Sequence, residues 1–369
     1  MNRSQQIIRT SIVSIIANVL LATFKAVVGL LAHSVAIVMD AVNNLTDVFS
    51  SVVTIIGTRL SQRPPDLKHP FGHGRIEYFS AIVISVIVLS AGITSLIESV
   101  IKIIHPNTPT YSKVTLIVII VAIIVKLLLG RYVKARGEQL NSDALIASGS
   151  DALFDAIITL STLVSAGIML IWNVSLDGIL GVIISLVIVK AGFDMLSSPV
   201  NELLGARIPS KLVKEIKQEI LAHKEVYGVY DIILHNYGPD VLIGSLHVSV
   251  KDTMNAYEIH GLTRTISEEM YQNHHIIMTV GVYAVATGEH KRAKLQDTVV
   301  RTLQKHNDIL QMHGFYYNKK QKAVRFDLVV SFEAASRIDL FREVMAELCE
   351  TYPELEINAS MDMDYGELL

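Results

Sequence analysis

The sequence predicts an α-helical membrane domain of six transmembrane helices, followed by two small α/β units in tandem. Three observations predict this fold class. Hydrophobic residues make up 51% of the 369 residues, above the usual share for a soluble protein. Long apolar stretches, six in number, fill the chain up to residue 200. Beyond residue 205, one order of helix and strand patterns occurs twice.

Each apolar stretch is long enough to cross the ~30 Å hydrocarbon core of a lipid bilayer. The stretches are residues 8–31, 34–60, 77–104, 113–134, 141–172 and 177–200. Because their number is even, both termini lie on one side of the membrane. Lys and Arg residues concentrate before the first span and in the second and fourth connections. The positive-inside rule therefore predicts a multi-pass protein of the cell membrane with both termini in the cytoplasm.

Lys126 lies near the inner end of the fourth predicted span, which ends at residue 134. A lysine in this position can extend its ammonium to the headgroups while its methylene stem stays in the apolar layer. We therefore interpret Lys126 as a snorkelling residue.

Beyond residue 205 the hydrophobic pattern becomes that of a soluble α/β fold. The order helix, strand, strand, helix, strand covers residues 208–223, 228–236, 241–250, 256–272 and 276–285. It returns over residues 291–305, 309–318, 322–332, 335–350 and 355–363. In the second strand, Leu242, Leu246, Val248 and Val250 fall on one face, as in a half-buried strand. The predicted domains are residues 1–205, 206–287 and 288–369.

Composition and motifs exclude several classes of function. The net charge of -3 comes without a basic run or aromatic-basic interleaving, so nucleic acid is not an expected partner. The single cysteine, Cys349, excludes an internal disulfide framework and a zinc site built from several thiolates. The soluble half has no nucleophile elbow, phosphate loop or redox motif, so we do not expect an enzyme.

Polar residues inside two of the apolar stretches point to a binding site. Asn43 and Asp47 lie one helical turn apart in the second span, and Asp151 and Asp155 lie one turn apart in the fifth. An aspartate at bilayer depth costs about 2.5–3.5 kcal/mol and is kept where it pairs, lines a cavity or binds an ion. Asn43 and Asp151 each lie roughly 15 Å from the start of their span, so two antiparallel helices bring oxygen ligands to one level.

Three segments together resemble the cation diffusion facilitator family of divalent-metal transporters. They are D-A-V-N-N-L-T-D from Asp40, D-L-K-H-P-F-G-H-G from Asp66 and S-D-A-L-F-D from Ser150. The resemblance covers residues 1 to about 286. It implies six transmembrane helices, a cytoplasmic α+β domain of the ferredoxin-like kind, a homodimer, and metal export in exchange for protons. The repeated pattern then predicts two ferredoxin-like domains in tandem, of which the second, 288–369, lies outside the family pattern.

The resemblance also implies a transport site. Asn43 and Asp47 match the family's ligands on the second helix, and Asp151 matches its ligand on the fifth. Zinc transporters commonly have histidine four residues before that aspartate, where this chain has Ala147, and Asp155 is the obvious substitute. An oxygen-only set of Asn43, Asp47, Asp151 and Asp155 resembles the manganese-exporting branch.

The chemistry of the ligands favours the same choice. Oxygen ligands suit Mn²⁺ first and Fe²⁺ second, whereas Zn²⁺ favours imidazole or thiolate. Three neighbouring carboxylates should also exchange the metal for protons, because both compete for the same oxygens.

Two further metal sites are expected from histidine positions. Asp66, His69 and His73 can gather one carboxylate and two imidazoles around a cation, and they match a loop site of the family. A structural clamp of the loop is the alternative interpretation. His247 and His260 match positions at which some zinc-transporting members bind regulatory metal. Gly281 and Tyr283 replace further ligands of that site, so we expect it to be absent or altered.

Other interpretations remain open at this stage. Asn43 can instead hydrogen-bond between helices, and Asp155 can act as a proton relay behind the ligands. The leading hypothesis is a proton-coupled Mn²⁺ exporter that works as a homodimer by alternating access. Its alternatives are a zinc exporter with an atypical site and a membrane-anchored metal sensor.

Overall fold

The computed structural model describes residues 2–31, 35–105, 113–172, 177–238, 241–285 and 291–365. The side chain of Asn43 and the predicted boundary at residue 287 lie outside the described parts. Contacts divide the chain into two compact units. The first extends to Ala206 and also includes Tyr237, and the second holds the remaining residues from Arg207 onward.

The first unit contains six long helices, one for each predicted span. They are α1 (Arg3–Leu31), α2 (Val35–Ser61), α3 (Ile76–Ile104), α4 (Lys113–Gln139), α5 (Asp143–Trp172) and α6 (Asp177–Leu204). Within the described residues, all of these except α2 have a stretch long and apolar enough to cross a membrane. Membrane crossing by α2 stays a prediction, because most side chains in its first half lie outside the described part of the chain.

The six helices pack mainly as three pairs, α1 with α2, α3 with α6 and α4 with α5, and α2 also contacts α5. Glycines allow the close approach of α4 and α5. A Cβ atom added at Gly149 would lie 2.4 Å from the backbone nitrogen of Lys134, and one added at Gly130 would lie 3.0 Å from the carbonyl oxygen of Gly149. Real side chains do not approach a backbone atom to 2.4 Å, so Gly149 requires glycine, and the 3.0 Å contact at Gly130 would force its neighbour to move.

The second unit contains the remaining helices and all the described strands. They are α7 (Ser210–Leu221), β1 (Gly228–Asn236), β2 (Leu242–Lys251), α8 (Ala256–His274), β3 (Ile276–Val285), α9 (Lys291–Leu303), β4 (Ile309–Asn318), β5 (Ala323–Val330), α10 (Arg337–Thr351) and β6 (Glu356–Asp362). The strands form two sheets of order β1-β2-β3 and β4-β5-β6. In each sheet the first pair of strands is antiparallel and the second is parallel.

The predicted order of helix and strand patterns therefore occurs twice. That the two halves are separate ferredoxin-like domains with boundaries at 205 and 287 stays a prediction, because their contacts group them into one compact unit.

Each sheet packs its helices over an apolar core. Leu246, Val248 and Val250 of β2 are fully buried, as their alternation predicts, together with Ile266 and Met270 of α8. The second core joins equivalent elements, with its fully buried side chains on β5 and α10: Leu328, Val344 and Leu348. Burial of such a side chain contributes about 1.5–3 kcal/mol to folding.

The contact between α4 and α5 gives a stability prediction. In Gly149→Ala the added methyl meets the α4 backbone, and overpacking of this kind costs about 1–3 kcal/mol. Gly261→Ala is the matched control, because Gly261 is exposed on α8 with no atom within 4 Å of an added Cβ. Alanine there should stabilise helix α8 by about 0.8–1 kcal/mol. Thermal unfolding in detergent should move in opposite directions for the two variants; equal shifts would contradict the packing described here.

Candidate metal transport site

Charged side chains from three helices of the first unit meet inside the helix bundle. Asp47 lies on α2, Lys126 on α4, and Asp151 and Asp155 on α5. We call these four residues the membrane cluster. The side chains of Lys126 and Asp47 are 5% and 12% exposed, and Asp151 is 8% exposed, so the cluster is largely removed from the surface. Buried charges are stable only when paired, and the cluster contains both signs.

Lys126 joins α2 and α5 through its ammonium group. Its Nζ donates one hydrogen bond to Asp47 Oδ2 at 2.8 Å and a second to Asp155 Oδ2. The interpretation of Lys126 as a snorkelling residue is therefore wrong. Helix α4 continues to Gln139, which places Lys126 at its midpoint, roughly 20 Å from either end. Pairing with two carboxylates is the favourable alternative to an ammonium alone in the apolar layer.

Asp151 completes the group of carboxylates, because the charges of Asp47, Asp155 and Lys126 all act on it. The structure thus brings together three of the four predicted transport ligands. The side chain of Asn43, the fourth, lies outside the described residues, so its place in the site stays a prediction.

Two buried residues next to the cluster were not singled out from the sequence. Asn44 is 0% exposed, and neither its Nδ2 nor its Oδ1 has a hydrogen-bond partner among the described residues. It lies one helical turn before Asp47. Lys25 of α1 is 2% exposed, and its charge acts on Asp47. The signal available in the sequence was the adjacent pair of asparagines and a second lysine at membrane depth.

Buried polar residues continue from the cluster along the contact between α1 and α2. On α2 the buried positions include Ser50, Ser51, Thr54 and Thr58. Ser51 donates its hydroxyl hydrogen to Ser14 Oγ of α1 at 3.0 Å. This polar seam extends from the membrane cluster towards the end of α2 at Ser61.

The cluster has the chemistry of a cation site. The oxygens of Asp47 and Asp155 converge on one positively charged nitrogen, with a third carboxylate nearby. Converging carboxylate oxygens are the type of ligand that hard divalent cations bind. The ammonium of Lys126 occupies the position in which a cation would contact these oxygens.

The loop between α2 and α3 brings the predicted residues Asp66, His69 and His73 together. Asp66 Oδ1 lies 3.2 Å from His69 Nδ1, and Asp66 Oδ2 lies 3.5 Å from His73 Nε2. Their ligand atoms lie within 4.8 Å of one another. Hydrogen bonds from the backbone nitrogens of His69 and Lys68 hold the pKa of Asp66 below its usual value, against a small effect of burial. The geometry suits either a metal site or a loop clamp, so the loop site stays a prediction.

His247 and His260 lie on different elements of the second unit. His247, on β2, lies with its Nδ1 2.9 Å from Asp231 Oδ2 and stacks on Tyr283 with ring centroids 4.5 Å apart. His260 is exposed on α8. Among the described residues, no group of three potential ligands contains His260. The metal site predicted for this pair stays untested.

Two sequence models of known protein families match parts of the chain. The sequence model of the cation efflux transmembrane domain matches residues 11–204. A second model, described as the cytoplasmic domain of cation efflux proteins, matches residues 208–282.

Several other proteins are similar to this chain over most of their own length. An uncharacterised transporter of Methanocaldococcus jannaschii is 31% identical over 259 residues, which cover 70% of this chain and 91% of that protein. Manganese efflux system protein MneS of Bacillus subtilis is 29% identical over 269 residues, covering 72% and 91%. Magnetosome protein MamB of a Magnetospira species is 26% identical over 236 residues, covering 64% and 80%. The model of the transmembrane domain matches more than half of the residues of this chain. The chain therefore belongs to the cation diffusion facilitator family of membrane cation transporters.

Proposed function

We propose that the protein exports Mn²⁺ through the membrane cluster, with Fe²⁺ as a second possible cargo. The observation that carries the proposal is the convergence of Asp47 and Asp155 on one positive charge, beside buried Asp151. Family membership supports divalent-cation efflux in general. The names of two similar Bacillus subtilis proteins, manganese efflux system proteins MneS and MneP, support manganese in particular.

The ligand chemistry supports the same cargo. Asp47, Asp151 and Asp155 offer only carboxylate oxygens, and Asn43 and Asn44 would add amide oxygens from the same helix. Such a set suits Mn²⁺ and Fe²⁺ better than Zn²⁺, which favours imidazole or thiolate. The buried amide of Asn44 has no hydrogen-bond partner among the described residues, as expected of a group that binds a ligand.

In the proposed mechanism Lys126 is the counter-ion of the cation-free site. A divalent cation enters along the polar seam between α1 and α2 and displaces the ammonium from Asp47 and Asp155. When the cation leaves on the other side, Lys126 returns to the carboxylates. The ammonium therefore prevents the empty site from being a cluster of uncompensated negative charges.

Protons are proposed as the exchanged ion, because they compete with the metal for the same carboxylate oxygens. The protein is further proposed to work as a homodimer with both termini in the cytoplasm. The match to the cytoplasmic domain of the family supports dimerisation. The distribution of Lys and Arg between the connections supports the orientation.

Neutralising one carboxylate of the membrane cluster should strongly reduce the rate of Mn²⁺ transport. We expect Asp47→Asn and Asp151→Asn each to lower Mn²⁺ flux into inverted vesicles by at least about tenfold, equivalent to 1.4 kcal/mol of lost binding. Asp194→Asn is the matched control, because Asp194 is exposed on α6. Wild-type flux in both cluster variants, at equal protein levels, would contradict the transport site.

Removing the ammonium should tighten cation binding. Two charges 4 Å apart interact by about 4 kcal/mol near a protein surface, so even a third of this value gives a tenfold change. We expect Lys126→Met to lower the Mn²⁺ concentration for half-maximal flux by about tenfold or more. Lys190→Met, on the exposed side of α6, should leave it unchanged. An unchanged or higher value for Lys126→Met would show that the ammonium does not compete with the cargo.

Proton exchange can be tested without substitutions. In inverted vesicles, metal uptake should accelerate when the lumen is made acidic, because protons then displace the cation on the release side. A buffer of equal pH on both sides is the control. If the imposed pH gradient does not change the rate of metal uptake, proton exchange is not part of the mechanism. Cation transport itself would not be contradicted by that result.

A further inference from the structure

A second group of ionisable side chains lies between the two sheets of the second unit. His313 of β4 has its Nε2 2.7 Å from Asp231 Oδ1 of β1 and 3.3 Å from Asp362 Oδ2 of β6. The ligand atoms of these three residues lie within 4.8 Å of one another. We call Asp231, His313 and Asp362 the interunit cluster. Asp231 comes from the first α/β unit, α7 to β3, and the other two residues come from the second, α9 to β6.

His313 is the buried centre of the interunit cluster. Its side chain is 1% exposed, and its Nε2 lies within ion-pair distance of both carboxylates. Its Nδ1 has no hydrogen-bond partner within the described residues. Buried polar atoms without partners are rare in native proteins, and a bound ion is one explanation for them.

The charges of the cluster favour a bound cation. Three carboxylates, those of Asp231, Asp327 and Asp362, act on the single imidazole of His313. His247 is a second imidazole at Asp231, with its Nδ1 2.9 Å from Oδ2, so carboxylates outnumber imidazoles by three to two.

The backbone of both strands is shaped around the interunit cluster. Asp231 has a positive φ of 52° and lies in a β-bulge between Tyr230 and Ile233. Gly314, with φ of 66°, lies in the corresponding bulge of β4, next to His313. Bulges redirect side chains and often occur beside functional sites, and a non-glycine residue at positive φ is uncommon.

Neighbouring side chains hold Asp231 in place. The Tyr283 hydroxyl donates a hydrogen bond to Asp231 Oδ2 at 2.7 Å, and His247 Nδ1 lies 2.9 Å from the same oxygen. The His247 ring lies across Gly281, where an added Cβ would come within 2.3 Å of it. Groups that orient a ligating carboxylate in this way are typical surroundings of metal sites.

We propose that Asp231, His313 and Asp362 bind a divalent transition-metal cation that joins the two α/β units. One imidazole and two carboxylates suit such a cation, with His247 or water available for the remaining positions. A cavity of about 130 Å³ reaches Asp231, and its other polar lining residues include Gln311, Asp364, Lys214 and Lys217. The proposal is independent of the transport function, because it involves no residue of the membrane cluster.

Because the proposed ligands come from both α/β units, a bound cation would hold the two units together. Both family matches end by residue 282, whereas His313 and Asp362 belong to the elements after it. A cation in the interunit cluster would therefore make the docking of α9, α10 and β4–β6 dependent on metal concentration.

The test uses the full-length protein in detergent with Mn²⁺ as the probe. Bound equivalents are measured by equilibrium dialysis, and pulsed electron paramagnetic resonance detects imidazole nitrogen coupled to the metal. We expect His313→Gln and Asp362→Asn each to lose one bound equivalent and His313→Gln to lose a nitrogen coupling. His306→Gln is the matched control, because His306 lies in the same unit and pairs with Glu347 at 2.8 Å, outside the interunit cluster. It should bind as the wild type does.

Two further variants separate the other candidate sites. The predicted transport ligands lack imidazole, so Asp47→Asn should keep every nitrogen coupling even if it stops transport. His69→Gln with His73→Gln removes the loop imidazoles and should leave the signal of the interunit cluster. Folded His313→Gln and Asp362→Asn proteins that keep all wild-type equivalents and couplings would overturn the proposal and identify the cluster as an ion-pair network. If His313→Gln does not fold, Asp362→Asn decides the outcome by its bound equivalents.

Discussion

The ion pairs of Lys126 with Asp47 and Asp155 are the interaction on which the helical first unit of this protein depends. Carboxylates on α2 and α5 would repel each other inside an apolar bundle without a positive charge between them. Lys126 of α4 supplies that charge and connects three helices at one point. The oxygens of Asp47 and Asp155 converge on the ammonium, and the proposed cation site uses this same convergence. The close contact of α4 with α5 at Gly130 and Gly149 makes this arrangement possible.

Much of the fold could be predicted from hydrophobic patterns. Apolar length identifies the helices of the first unit, and the alternation of Leu246, Val248 and Val250 identifies a strand that the structure buries on one face. The spacing of Asp151 and Asp155 also placed both on one helix with Asp47 opposite. Lys126 was misinterpreted because its span was ended at residue 134, five residues before α4 ends at Gln139. Counting charges inside the spans, where the three aspartates are accompanied by Lys25 and Lys126, was the signal that could have found it.

The interunit cluster could not be predicted from spacing. Asp231, His313 and Asp362 are far apart in the sequence, and the one short motif among them, M-D-M-D-Y at Asp362, contains neither of the other two residues. Two β-bulges and the packing of one sheet on the other bring them together, and these are properties of tertiary structure. The sequence did point to His247 as a ligand, but the structure places it beside Asp231, while His260 is exposed on α8. Local pattern thus predicts elements, whereas contacts between distant strands decide which side chains can share a ligand.

The central claim is that one set of carboxylates holds either Lys126 or the transported metal. A cryo-electron microscopy structure of the full-length protein with Mn²⁺ tests it most directly. The account predicts metal density between Asp47 and Asp155, with the Lys126 Nζ withdrawn from both. Mn²⁺ bound elsewhere in the bundle, while Lys126 still bridges the two aspartates, would contradict it.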